Sequence, residues 1–207
     1  MPRQISQTVC AQAVIDGISE AQNNYALWSG GEWLWAAAEY MLTVHVAKAL
    51  AELEGANFVT IEHNGHDALN NAGAVAPGPK PKNARLNGRF DLLLWWGGGT
   101  PRAVIELKNQ PICMNTCTKD FNRISSVLSI GQENSSLQFG LFGFYTSAKD
   151  GSRKGAEEKV QDKINTITGL ATNCIGSRCK INAYQSDITT DDTDSAWAAG
   201  CLLIKPL

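Results

Sequence analysis

Asp91 interrupts the apolar run Phe90–Trp96 of an extended segment, Arg89–Trp96, and Glu106 with Lys108 closes a second extended segment, Arg102–Lys108. Two carboxylates and an ammonium on neighbouring extended segments could hold a hard divalent cation beside a phosphate. Mg²⁺ favours carboxylate, carbonyl and water oxygens, and Mn²⁺ accepts a similar set. Strand side chains alternate between faces. Asp91, Leu93 and Trp95 therefore share one face, as do Val104, Glu106 and Lys108 on the next strand. Gly97-Gly98-Gly99-Thr100 reads as a hairpin loop with Trp96 opposite Pro101, which sets Asp91 against Glu106 and Arg89 against Lys108. Directly opposed Cβ atoms lie about 4.5–5.5 Å apart, and like charges there destabilise a sheet unless something compensates. A divalent cation compensates directly, and the carbonyl of Leu107 adds a further ligand. Lys108 would then orient water or stabilise charge developing on phosphorus. The plainer alternative is a strand-edge ion pair between Lys108 and Asp91.

The Glu-x-Lys spacing alone says little, since it recurs at Glu157 and Lys159 in a segment expected to be helical and solvent-facing. The strand context distinguishes the copy at Glu106. Arg89-Phe90-Asp91-Leu92-Leu93-Leu94 followed by Val104-Ile105-Glu106-Leu107-Lys108 resembles the PD-(D/E)xK nuclease superfamily, the restriction-endonuclease-like fold, over about residues 32–146. Pro often precedes the first acid in that family; Phe90 stands here. The resemblance implies that Asp91 and Glu106 bind Mg²⁺ and that Lys108 assists phosphodiester hydrolysis. Family members often carry a Glu on the helix before the sheet. Glu39 is the candidate for that metal-binding and catalytic role, with Glu32 on nearly the same face of the expected helix. The implied activity is metal-dependent cleavage of nucleic acid, DNA favoured over RNA. The superfamily also contains inactive members, so the alternative is a nuclease-like module that binds protein or nucleic acid without turnover.

Other residues admit both functional and bland readings. Gln110, two positions beyond Lys108, could extend the active face or end the strand. Lys119 and Arg123 could present one positive helix face to a phosphate backbone, and Arg85 and Arg89, with Lys80 and Lys82, a second patch. Both sets could equally be solubilising. Trp95 would lie on the Asp91 face near substrate. His45 is expected to be structural or exposed, and His63, His66 and Asp67 lack a specific metal motif. Cys113, Cys117, Cys174 and Cys179 have loose zinc-like spacing, and separate thiols are favoured.

These residues must be positioned by an ordinary globular chain. The net charge of -2 argues against a general nucleic-acid coating protein but not against an enzyme with an acidic metal pocket. The start of the chain lacks the pattern of a signal peptide, and no run approaches the roughly 20 apolar residues of a membrane span. The expectation is a cytoplasmic protein without membrane association. A homodimer would suit double-strand cleavage, although no interface is legible. The pattern predicts a helix over 4–28, a break at Ser29-Gly30-Gly31, and a strong helix over Glu32–Leu53 with Tyr40, Met41, Val44, Ala47, Leu50 and Ala51 as its apolar stripe. A strand follows at Phe58–Ile61, then an exposed loop over His63–Asn87, then the hairpin. Helices are expected over Lys119–Ile130 and 153–168, strands over Phe139–Thr146, Arg178–Tyr184 and Trp197–Ile204, and an acidic loop over 187–194. The whole is a single α/β domain, 1–207, with a central mixed sheet flanked by helices, a nuclease-like core and a variable C-terminal extension.

Overall fold

A strand that is apolar along its length must be covered on both faces. Arg89–Trp96 (β2) and Pro101–Asn109 (β3) are of that kind: Leu92, Leu93, Leu94, Val104 and Ile105 are all fully buried. The computed structural model describes residues 5–55, 57–74, 77–111, 114–191 and 194–207. The other strands are β1 (Asn57–Asn64), β4 (Phe139–Lys149), β5 (Cys179–Gln185), β6 (Thr189–Asp191) and β7 (Ser195–Pro206). The helices are α1 (Gln7–Ser29), α2 (Tyr40–Ala51), α3 (Gly65–Asn71), α4 (Met114–Ser129) and α5 (Ala156–Ile175).

The strands form one seven-stranded sheet in the order β1-β2-β3-β4-β7-β5, with β6 alongside β7. β3 and β4 run parallel, and the other pairings are antiparallel. A parallel pair needs a crossover, which α4 supplies, so α4 lies close to the strand that carries Glu106. On the α4 face, Leu93, Val104, Phe142 and Leu202 pack with Phe121, Ile124 and Val127, and with Val160 and Ile164 of α5. On the other face, Leu92, Leu94, Ile105 and Leu107 pack with Val14 and Ile18 of α1 and with Leu42 and Val46 of α2. The fold is thus a mixed sheet with helices on both faces, as the pattern predicts. β7, from the segment beyond residue 146, is interior to the sheet, between β4 and β5. Among the described residues, no helix is long and apolar enough to cross a membrane.

The hairpin forms with Leu92 opposite Ile105, Leu93 opposite Val104 and Leu94 opposite Ala103, in the expected register. Nearer the loop, Pro101 faces Trp95 instead of Trp96, because Arg102 is an extra residue in a β-bulge. Its guanidinium turns inward over the Trp96 ring, 4.2 Å from the centroid.

Three local expectations change. The helix expected from Glu32 begins only at Tyr40; a short 3-10 turn, Leu34–Ala36, precedes it. The cause is tertiary. Leu34 is fully buried, its N–H donates to Gln22 Oε1 at 2.8 Å, and its carbonyl accepts from Asn109 Nδ2 at 2.7 Å. Within α2 the buried face is Leu42, Thr43, His45, Val46 and Leu50, while Tyr40 and Val44 are exposed, so the helix is rotated from the expected stripe. The presumed loop after His63 contains α3, capped by Asn64 Oδ1, which accepts from the His66 N–H at 2.9 Å. It buries Ala68, Leu69, Ala84 and Leu86. The acidic stretch includes β6, and Asp192 within it lies outside the described residues.

Candidate functional site

Beyond Leu92 and Ile105 the β2–β3 ladder ends. β2 continues beside β1 through Phe90 and Arg89, and β3 beside β4 as far as Asn109. Charged side chains occupy the place where the two strands part. Half-buried Asp91 accepts the Leu107 N–H through Oδ2 at 2.7 Å. Glu106 is 3 % exposed, and its Oε1 accepts from Arg123 Nη1 at 2.7 Å. The same nitrogen donates to the Arg89 carbonyl at 2.7 Å, and the guanidinium carbon lies 4.0 Å from the Phe90 ring centroid.

Lys108 Nζ donates to the Leu107 carbonyl at 2.8 Å and to Glu39 Oε1 at 3.3 Å, and it lies 3.5 Å from Asp120 Oδ2. Buried Asp120 also accepts from Arg85 Nη2 at 2.7 Å. The second oxygen of Glu39 accepts the Asn109 N–H at 2.9 Å. Four carboxylates, from Glu39, Asp91, Glu106 and Asp120, thus meet the cations of Arg85, Lys108 and Arg123 around the end of β3.

The electrostatics follow from burial. Desolvation pushes the Glu106 carboxyl well above its ordinary range; the charge of Asp91 adds to this, while Arg123 opposes it. Burial raises Asp91 too, against the Leu107 N–H and Lys108, which favour its charged form. For Lys108, burial acts downward, but Asp120, Glu39, Asp91 and Glu106 together carry the ammonium above its usual value.

Oxygen donors of the kind a hard cation takes are present in Asp91, Glu106 and the Leu107 carbonyl, but Asp91 Oδ2 accepts the Leu107 N–H, Glu106 Oε1 pairs with Arg123 and the Leu107 carbonyl accepts from Lys108. Among the described residues, no group of three or more His, Cys, Asp and Glu side chains forms a ready metal cage. Water would have to complete the shell, as Mg²⁺ commonly requires.

The other candidates divide. Glu39 reaches the site through Lys108 and Asn109, from the residue before α2; Glu32 is exposed and lies outside that helix. Gln110 acts in the framework: its Nε2 donates to the Ser147 carbonyl at 3.0 Å and its Oε1 accepts the Ser147 N–H at 2.8 Å, extending the β3–β4 pairing by a side chain. Arg123 and Lys119 do not share a positive surface. Lys119 is exposed, whereas Arg123 is 3 % exposed and turned onto Glu106, which corrects its expected contact with a phosphate backbone. Arg85 and Arg89 are exposed. Trp95 is 6 % exposed, stacked on Phe58 with centroids 5.3 Å apart, and donates Nε1–H to Thr60 Oγ1 at 2.9 Å. His45 is buried. His63 faces Thr60 and His66 faces Asn87. Cys174 and Cys179 face Thr118 and Ser125 rather than one another, and Cys113 lies outside the described residues.

Sequence reasoning missed Asp120 and the true role of Arg123. A signal was present: Phe121 and Ile124 mark the buried stripe of α4, and each has a charged neighbour immediately before it. No protein-family model, curated protein or solved structure matches the chain.

Proposed function

We propose that this chain is a metal-dependent nuclease with a restriction-endonuclease-like core, acting on nucleic acid and on DNA before RNA. The observation that carries the reading is the burial of the Asp91 and Glu106 carboxylates close to one another at the end of a hairpin, with the cation Lys108 beside them. Asp91, Glu106 and the Leu107 carbonyl would hold Mg²⁺ or Mn²⁺. When bound, the ion supplies positive charge that activates water and polarises a phosphate. Glu39 and Asp120 keep Lys108 charged and orient its ammonium. Lys108 then donates to a phosphate oxygen as negative charge develops there. The exposed Arg85 and Arg89 supply contacts to the strand's backbone. A cytoplasmic location and a homodimer for duplex cleavage belong to the same proposal.

Cleavage is measured on single- and double-stranded DNA and RNA with each metal. Asp91→Asn and Glu106→Gln should abolish it, and Lys108→Met should lower it by about 10²–10³. A folded wild type that cuts none of the four substrates with either ion overturns the reading.

One observation favours a second reading, a nuclease-like binding module without turnover: Arg123 already neutralises Glu106. Calorimetric titration separates the two. Absence of Mg²⁺ and Mn²⁺ binding, together with intact binding of a nucleic-acid or protein partner, supports the silent module.

A further inference from the structure

A cleft of about 540 Å³ opens beside the end of β3, lined by Gly30, Gly31, Trp33, Trp35, Lys149 and Lys163 among others. Its volume falls within the range of about 300–1,000 Å³ typical of small-molecule sites. Trp33 and Trp35 lie on the connector between α1 and α2, and that connector is held firmly. Gln22 fixes the Leu34 N–H, and Asn109 Nδ2 donates to the carbonyls of Leu34 at 2.7 Å and Ala37 at 3.0 Å. Trp35 nevertheless remains 53 % exposed. An aromatic side chain held on a fixed backbone and left open is suited to stacking on a nucleobase. Gly30 and Gly31 leave that rim bare, since a Cβ at either would meet no atom within 4 Å.

The cationic part of the lining comes from β4 and α5. Half-buried Lys163 donates Nζ–H to the Ser147 carbonyl at 2.6 Å, and among the described residues no carboxylate pairs with it. Burial, and then Lys159, push its ammonium below the usual range. Lys149 adds an exposed positive charge. Glu32, exposed and also in the lining, can accept an N–H from a base edge, while Asp191 accepts the Ser195 N–H at 3.2 Å.

We propose that this cleft binds a nucleoside monophosphate unit, its base stacked on Trp35 and its phosphate on Lys163 and Lys149. The unit is either a free nucleotide or one residue of a single strand, and the strand form rests on the nuclease reading. Gln110, two positions after Lys108, lines the cleft, so the cleft adjoins the end of the strand that carries Glu106.

The test is calorimetry in EDTA with thymidine, thymidine monophosphate and a short oligothymidylate. The monophosphate should bind and thymidine more weakly. Trp35→Ala should weaken binding by about tenfold or more, the expected scale for one lost base stack. Lys163→Met should remove the advantage of the phosphate, and Lys163→Arg should keep it. Tighter binding of the oligomer supports the strand form, and equal binding supports a free nucleotide. Asp91 is outside the cleft's lining, so Asp91→Asn should leave the affinity for thymidine monophosphate unchanged, and loss of cleavage and loss of this site are separable. No binding of either phosphate-bearing probe to folded protein, or binding indifferent to both Trp35→Ala and Lys163→Met, overturns the proposal.

Discussion

Replacing Arg123 by methionine keeps most of the stem's packing and removes the cation 2.7 Å from Glu106. Both side chains are 4 % exposed, so solvent cannot take over the role of the guanidinium. Breaking a buried pair by removing one partner costs about 3–5 kcal/mol. The structure also sets a ceiling, because Glu106 can escape by taking up a proton. Its ordinary value is 4.5. Protonating it at pH 8 costs roughly 5 kcal/mol, and at pH 5.5 only about 1.4 kcal/mol, at 1.36 kcal/mol per unit. The sign is that of a carboxyl raised in the folded state: stability is retained below the unfolded value and lost as pH climbs toward the folded one. Arg123→Met should therefore melt lower than wild type by roughly 6–20 °C at pH 8 for a chain of this size. The gap should narrow strongly at pH 5.5. Adding Glu106→Gln should recover most of the loss, since removing both charges is far cheaper than stranding one. If Asp91 and Glu106 hold a cation, Mg²⁺ at a hundred times its dissociation constant should return about 2.7 kcal/mol to the single variant. Melting followed by circular dichroism at both pH values tests this. A loss that is independent of pH and not relieved by Glu106→Gln refutes the assignment of Arg123 as Glu106's countercharge.

Two further outcomes follow from packing and burial. A Cβ at Gly200 would sit 2.2 Å from a carbon of the Phe144 ring, so Gly200→Ala should destabilise by about 1–3 kcal/mol, read from denaturant unfolding. Among Cys10, Cys117, Cys174, Cys179 and Cys201, only Cys174 is not fully buried, and burial pushes the Cys117 thiol up to about 11. Maleimide labelling mapped by mass spectrometry should therefore modify Cys174 first among these five at pH 7.5; faster labelling of Cys117 contradicts its placement on the buried face of α4.

The hairpin was legible in the sequence because its information is local. Alternating faces and a short glycine loop place Leu92, Leu93 and Leu94 in register, and they bring Asp91 toward Glu106. The bulge at Arg102 was not legible, since an inward guanidinium depends on a distant partner, the Ile5 carbonyl. The same limit explains the late start of α2. Residues 32–39 have helical preference, but Gln22 and Asn109 draw the Leu34 backbone into other hydrogen bonds. For Arg123 the error was one of face. Four-residue spacing linked it to Lys119, whereas the position of Phe121 and Ile124 turns it inward and leaves Lys119 in solvent. The charged cluster is thus half visible in sequence: the β2–β3 acids follow from strand periodicity, and their α4 partners require knowledge of which helix crosses over.

The interior position of β7 bears on the order of assembly. β4 is synthesised well before residues 195–206, and until they arrive the edge that will meet β7 has no neighbour. β5 pairs with the same late strand, so it too waits. A growing chain can close β1 to β4, yet it exposes an apolar strand edge until β7 inserts between two earlier segments. Such an edge can recruit another chain. Truncation within Ser195–Pro206 should consequently yield insoluble material rather than a smaller, soluble domain.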